Sequence, residues 1–212
     1  MVYPILKVTV LPLVSNWIKK INGLENVPKN GPFIIAANHS SYMDHMVIGA
    51  VLLPYLNKKI HFLAKKEHFD GIAQKSWHSY VAAIPVDREK GGDEALQQAV
   101  KALKQEKIIA IYPEGTRSMN GKIQKAKTGI ARLALLSKAP VVPVGLVGTF
   151  DILPKGKYVP KFKRAIINFG KPLYFEEYAN KKINKQIINK VTVSIMKEIA
   201  RLSNQKYNFK HD

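Results

Sequence analysis

Cysteine is absent from the 212 residues. That excludes disulfides, thiolate metal ligands and a cysteine nucleophile together. Acidic residues are scarce: fifteen Asp plus Glu face thirty-four Lys plus Arg, giving a formal net charge of +19 and a pI near 10.0. A field of that sign favours an anionic partner, whether nucleic acid, an anionic membrane or a phosphorylated substrate. No apolar run reaches the roughly 20 residues needed to span a bilayer. Residues 2–18 come nearest, but Pro4, Lys7 and Pro12 interrupt them. They also lack the basic start and small-residue cleavage site of a signal peptide. The stretch therefore reads as an interfacial segment or a buried helix, and Trp17-Ile18 followed by Lys19-Lys20 suits a polar–apolar boundary.

Two catalytic signatures are also missing. There is no Gly-x-Ser-x-Gly elbow to carry a serine nucleophile. Asp44-His45 does not complete a His-x-His-x-Asp-His metal set, because Ser40 and Tyr42 stand where histidines are needed. His61, His68 and His78 are scattered without ligand spacing, so no metal site is expected.

What is present is an ordinary apolar fraction, 46%, enough for one domain with a sizeable core. Short apolar runs at residues 33–37, 60–64, 82–86, 108–112, 141–147 and 166–169 alternate with helix-length segments at 43–56, 69–80, 93–107 and 128–138. Asp93 can cap the third segment, where Leu96, Ala99, Val100 and Leu103 recur at helical spacing. Residues 184–202 read as a C-terminal amphipathic helix carrying Ile187, Ile188, Val191, Ile195 and Ile199. This alternation predicts an α/β domain with a mixed, largely parallel sheet flanked by helices. The expected division is an N-terminal interfacial helical segment at 1–24 and the α/β domain at 25–212.

Open α/β sheets place their sites beyond the C-terminal ends of strands. Four runs deliver polar groups there: His39, then Lys65-Lys66, then Asp87-Arg88, then Glu114, Gly115, Thr116 and Arg117. His39 and Asp44 are five positions apart, roughly 17 Å if the chain were extended. They meet only if the chain turns at Ser40-Ser41 and Asp44 enters the first turn of the next helix. A carboxylate so placed fixes the imidazole tautomer and makes a general base. The competing reading gives Asp44 only a helix N-terminus to serve, at capping-box distance from Ser41. Glu114 can accept hydrogen bonds from a hydroxyl-bearing substrate, and Arg117 can bind phosphate bidentately. Alternatively those two simply pair with each other. Arg88 is a second phosphate candidate, with Asp87 and Glu89 as alternative partners.

Together, Asn38-His39-Ser40-Ser41-Tyr42-Met43-Asp44, Ile84-Pro85-Val86-Asp87-Arg88, Tyr112-Pro113-Glu114-Gly115-Thr116-Arg117-Ser118 and Val141-Val142-Pro143-Val144 resemble the four blocks of the glycerolipid acyltransferases. They are most similar to the 1-acyl-glycerol-3-phosphate acyltransferases. Departures are mild: Tyr112 replaces a frequent Phe, and Ala83 a common Gly. The resemblance implies a mixed sheet with a membrane-docking N-terminal segment, and acyl transfer from a thioester to the free hydroxyl of 1-acyl-glycerol-3-phosphate. In it, His39 is the general base and Asp44 its partner. Arg88 and Arg117 hold the acceptor phosphate, Glu114 and Gly115 shape the glycerol pocket, and Thr116 is a further substrate-binding residue. Lys65 has a substrate-binding role and Pro143 lies on the acyl-donor side. No cofactor is implied beyond acyl-CoA or acyl-acyl-carrier protein as co-substrate. The expected location is peripheral or monotopic at the cytoplasmic face of the cell membrane, on an anionic lipid surface. Another lysophospholipid or glycerol-3-phosphate is the alternative acceptor. A rival of another class, a nucleic-acid-binding module, would use the loop at residues 155–164 (KGKYVPKFKR), whose cations alternate with aromatics.

Overall fold

The computed structural model describes residues 3, 8–65, 83–86 and 92–211. Seven strands form one sheet: β1 (Ile18–Asn22), β2 (Ile34–Ala37), β3 (Ile60–Lys65), β4 (Ile84–Val86), β5 (Ile108–Ile111), β6 (Val141–Val147) and β7 (Ala165–Phe169). Their order is β1-β7-β6-β2-β5-β3-β4, parallel throughout except between β6 and β7. The mixed, largely parallel sheet is as the alternation predicts.

The apolar runs are continuous because the sheet is covered on both faces. In β2, Ile35 and Ala37 join Phe33 in one core, while Ile34 and Ala36 point into the other. The first core holds α1 (Val10–Ser15) and α2 (Asp44–Leu56). The second holds α3 (Asp93–Lys104), α4 (Gly129–Ser137) and, after the short α5 (Thr149–Ile152), the C-terminal α6 (Lys185–Leu202). Asn184 caps α6 by accepting from the Ile187 N–H at 2.9 Å, and Ile187, Val191, Ile195 and Ile199 are buried at helical spacing.

Three expectations change. The described part of residues 1–24 is not helical throughout, and α1 ends at Ser15. Ile18–Asn22 instead pairs with β7 as an edge strand, its lysines outward where they discourage further pairing. Asp93 does not cap α3: Gly92 is the N-cap, and the Asp93 carboxylate takes the Arg132 guanidinium at 2.6 Å. That helix ends before residue 107, because Glu106 adopts a left-handed φ of 59°. The helix expected at 69–80 lies outside the described residues. Among those described, no helix is long and apolar enough to cross a membrane.

The connection after β2 runs through α2 on one face, and the connection after β5 through α4 on the other. β2 and β5 are neighbours, so their C-terminal ends open a crevice between diverging chains.

Candidate active site

At the end of β2 the main chain leaves the sheet, but Asn38 prolongs the pairing with its side chain. Its amide nitrogen donates to the Leu146 carbonyl at 3.0 Å, and its amide oxygen accepts from the Leu146 N–H at 2.7 Å. The next residue is His39. Its N–H donates to Glu114 Oε1 at 2.8 Å, and its carbonyl accepts from the Ser118 N–H at 2.9 Å. The first and third sequence blocks are thus joined through peptide groups.

The chain then turns, and Asp44 arrives in the first turn of α2, fully buried. Asp44 Oδ2 lies 2.7 Å from His39 Nδ1 and accepts from the N–H groups of Ser40 at 2.7 Å and Ser41 at 2.8 Å. Both readings of Asp44 hold: the carboxylate organises the turn and meets the imidazole. With Nδ1–H given to the carboxylate, Nε2 carries the lone pair of a base. Among the described residues Nε2 has no hydrogen-bond partner, and the side chain is 17% exposed.

Tyr112 stacks on this imidazole, with centroids 3.9 Å apart and planes 11° from parallel. Burial, with the Asp44 carboxylate nearby, holds the Tyr112 phenol well above its ordinary value, so it stays protonated. After Tyr112 the chain makes a tight turn closed by Gly115 N–H to the Tyr112 carbonyl at 2.9 Å. Gly115 takes φ of 72°, and a Cβ there would press on Lys127 Cε. Glycine suits both demands.

Glu114 departs from its expected place. Both of its oxygens face protein donors: Oε1 the His39 N–H, Oε2 the Gln124 N–H at 2.8 Å and its side-chain amide at 3.3 Å. The residue is 4% exposed, so it supports the His39 loop from behind instead of facing an open acceptor pocket. Burial pushes its carboxyl from 4.5 to about 7, against the lowering effect of the donors. Thr116 is exposed, and its carbonyl accepts from Gln124 Nε2 at 3.1 Å. Arg117 is not paired with Glu114; its guanidinium lies 3.7 Å over the Tyr42 ring, beside the His39 turn. Pro143 is buried in β6, where its carbonyl accepts from the Gly170 N–H at 2.9 Å, and it does not line the cavity below. Lys65 ends β3 in register with Val86. Arg88 lies outside the described residues.

The sequence reading quoted Asn38, Tyr42 and Tyr112 within its blocks but gave them no role, and it passed over Gln124. It also missed the chain after α6. Gln205 accepts from the Ile123 N–H at 2.8 Å and Tyr207 from the Ala126 N–H at 3.0 Å, fixing the segment that carries Gln124. Asn38 adjoins His39 and Tyr112 adjoins Pro113-Glu114 along the chain, which is the signal that could have flagged them; Tyr42 meets Arg117 only in the fold.

A cavity of about 330 Å³ opens at His39 and Tyr112. Leu63, Val86, Leu96, Ile111, Ile130 and Leu133 give it apolar walls, and Lys127 and Arg132 supply cations. An imidazole base, a carboxylate behind it and an apolar recess beside it suit proton abstraction from an amphiphile.

Comparisons with known proteins agree. The profile of the Acyltransferase family matches residues 19–147. The chain is 32% identical over 186 residues to the 1-acyl-sn-glycerol-3-phosphate acyltransferase of Bacillus subtilis, covering 88% of each sequence. To the enzyme of that name from Saccharomyces cerevisiae it is 30% identical over 202 residues, covering 90% of this chain and 64% of that one. The fold matches the crystal structure of the 1-acyl-sn-glycerophosphate acyltransferase of Thermotoga maritima. The TM-score is 0.67 at 23% identity, with 95% of this chain and 83% of that one covered. On a profile spanning most of the sheet and a relative matched almost end to end, the chain belongs to the acyltransferase family, among the 1-acyl-sn-glycerol-3-phosphate acyltransferases.

Proposed function

We infer that the protein moves a fatty acyl group from a thioester to the free hydroxyl of 1-acyl-glycerol-3-phosphate, giving phosphatidic acid. The observation that carries this is the 2.7 Å contact between His39 Nδ1 and Asp44 Oδ2 at the mouth of an apolar cavity. An alcohol is a weak nucleophile until a base takes its proton during attack. His39 Nε2 removes the hydroxyl proton as the oxygen attacks the thioester carbonyl. The tetrahedral adduct then collapses, its C–S bond breaks, and the imidazolium returns the proton to the leaving thiolate. Asp44 holds the ring and stabilises its charged form.

The cavity's apolar walls favour an acyl chain as occupant. Arg117 beside the turn, with Arg88, would hold the acceptor phosphate, whose geometry matches a guanidinium fork. The donor would be acyl-coenzyme A or acyl-acyl-carrier protein, both anionic like the acceptor. The excess of Lys and Arg suits them, and suits peripheral attachment to an anionic membrane, where each nearby cation contributes about 1 kcal/mol. The cytoplasmic face of the membrane is the proposed location.

The test is His39→Ala. Acyl transfer to lysophosphatidate should fall by about 10²–10⁴-fold in kcat with the circular dichroism spectrum unchanged. Transfer at the wild-type rate by a folded variant would overturn the assignment.

A further inference from the structure

The loop at residues 155–164 takes no part in the site, yet it is fastened to it. Ser41 Oγ and the Tyr42 N–H both donate to the Leu153 carbonyl, at 2.7 and 3.0 Å, and Ser41 forms an antiparallel bridge with Pro154. The loop therefore springs from the turn that joins His39 to Asp44. It closes on itself where the Lys161 N–H donates to the Ile152 carbonyl at 2.8 Å, the near-meeting ends of a compact Ω-type loop. On its far side Trp17 Nε1 donates to the Lys161 carbonyl at 3.0 Å, and the Trp17 and Phe162 rings lie 6.1 Å apart.

Every residue from 155 to 164 is exposed. Tyr158, Val159 and Phe162 are 89%, 80% and 85% accessible, although an isolated monomer gains nothing by displaying them together. Lys155, Lys157, Lys161, Lys163 and Arg164 surround them, with no acidic residue in the loop. Apolar and aromatic tips within a ring of cations are the composition that inserts at an anionic lipid–water boundary. A nucleic acid would use the rings and the charge, but Val159 has no π face to offer a base. The loop's root against the histidine turn also favours the surface from which a lysolipid is drawn.

We propose that residues 155–164, braced by Trp17, seat the protein on an anionic bilayer and set the histidine turn at the headgroup level. This rests on the lipid-acceptor reading above. Each cation near such a surface strengthens partition by about fivefold, so the loop accounts for much of the binding.

The experiment compares wild type with Tyr158→Ser/Val159→Ser/Phe162→Ser and with Lys155→Gln/Lys157→Gln/Lys161→Gln. Binding is measured to vesicles of phosphatidylcholine with phosphatidylglycerol. Each variant should bind more than tenfold more weakly, with unchanged thermal melting. Each should acylate a short-chain, monomeric lysophosphatidate as wild type does, yet lose activity on acceptor embedded in vesicles. Wild-type vesicle binding by either variant overturns the proposal, whatever its activity. So does unchanged vesicle binding together with lost binding to a single-stranded oligonucleotide. If wild type fails to acylate the monomeric acceptor while vesicle binding still depends on the loop, the acyl-transfer reading falls and the docking surface stands.

Discussion

Three hydrogen bonds fix His39, and two of them belong to its peptide groups: N–H to Glu114, carbonyl from Ser118, and Nδ1 to Asp44. Glu114 has the least ordinary environment of these partners. Its carboxyl, raised by burial to about 7, still holds a proton in the folded chain at pH values where the unfolded chain has released it. Stability therefore falls as pH rises from 4.5 to about 7, by up to about 1.4 kcal/mol per pH unit, and levels off above. Glu114→Gln keeps an oxygen for the His39 N–H but turns an amide NH₂ toward the Gln124 N–H. Urea midpoints across that range should show a constant destabilisation and the loss of the slope. A slope that persists in the variant would place its origin elsewhere. The sequence marked Glu114 as a site residue through its position after a strand. It did not show which way the carboxylate points, because that depends on a peptide group seventy-five positions away. Tyr112 read as a neutral replacement for phenylalanine, since stacking on an imidazole leaves no trace in a linear pattern.

Elements that bury both faces or carry a strong period were legible. The runs of β2, β5 and β6 and the stripe of α6 were visible because burial repeats along the chain. β1 was not, since Ile18-Lys19-Lys20-Ile21 becomes a strand only by pairing with β7, far along the sequence. The segment following α6 carries too few apolar residues to show a period, yet it holds the Gln124 segment in place. β6 and α6 meet at a point where only glycine fits. A Cβ at Gly145 would run into the Leu202 backbone carbonyl. Gly145→Ala should therefore cost about 1–3 kcal/mol, read as a lower midpoint in chemical denaturation. An unchanged midpoint would mean that the last turn of α6 yields freely.

Across the whole molecule, one sign of charge dominates, and the proposed acceptor and donor both carry the other. A net +19 should steer their encounter over distances comparable to the Debye length, about 10 Å at 0.1 M salt and 3 Å at 1 M. With a monomeric acceptor, kcat/KM should drop severalfold across that range while kcat holds. Salt-independent kcat/KM would show that the excess charge plays no part in capture. The whole-molecule charge was fully legible from composition; where its cations gather around exposed rings became clear only once the loop was seen joined to Ser41 and Trp17.

One consequence follows from the side chain that ends the central strand. Asn38 stands in for a peptide unit, presenting a donor and an acceptor to Leu146 at once. Aspartate would bring two acceptors and no donor, serine would fall short, and glutamine would overreach by one methylene. The alphabet thus offers a single letter for this position, and the platform beneath the imidazole depends on it.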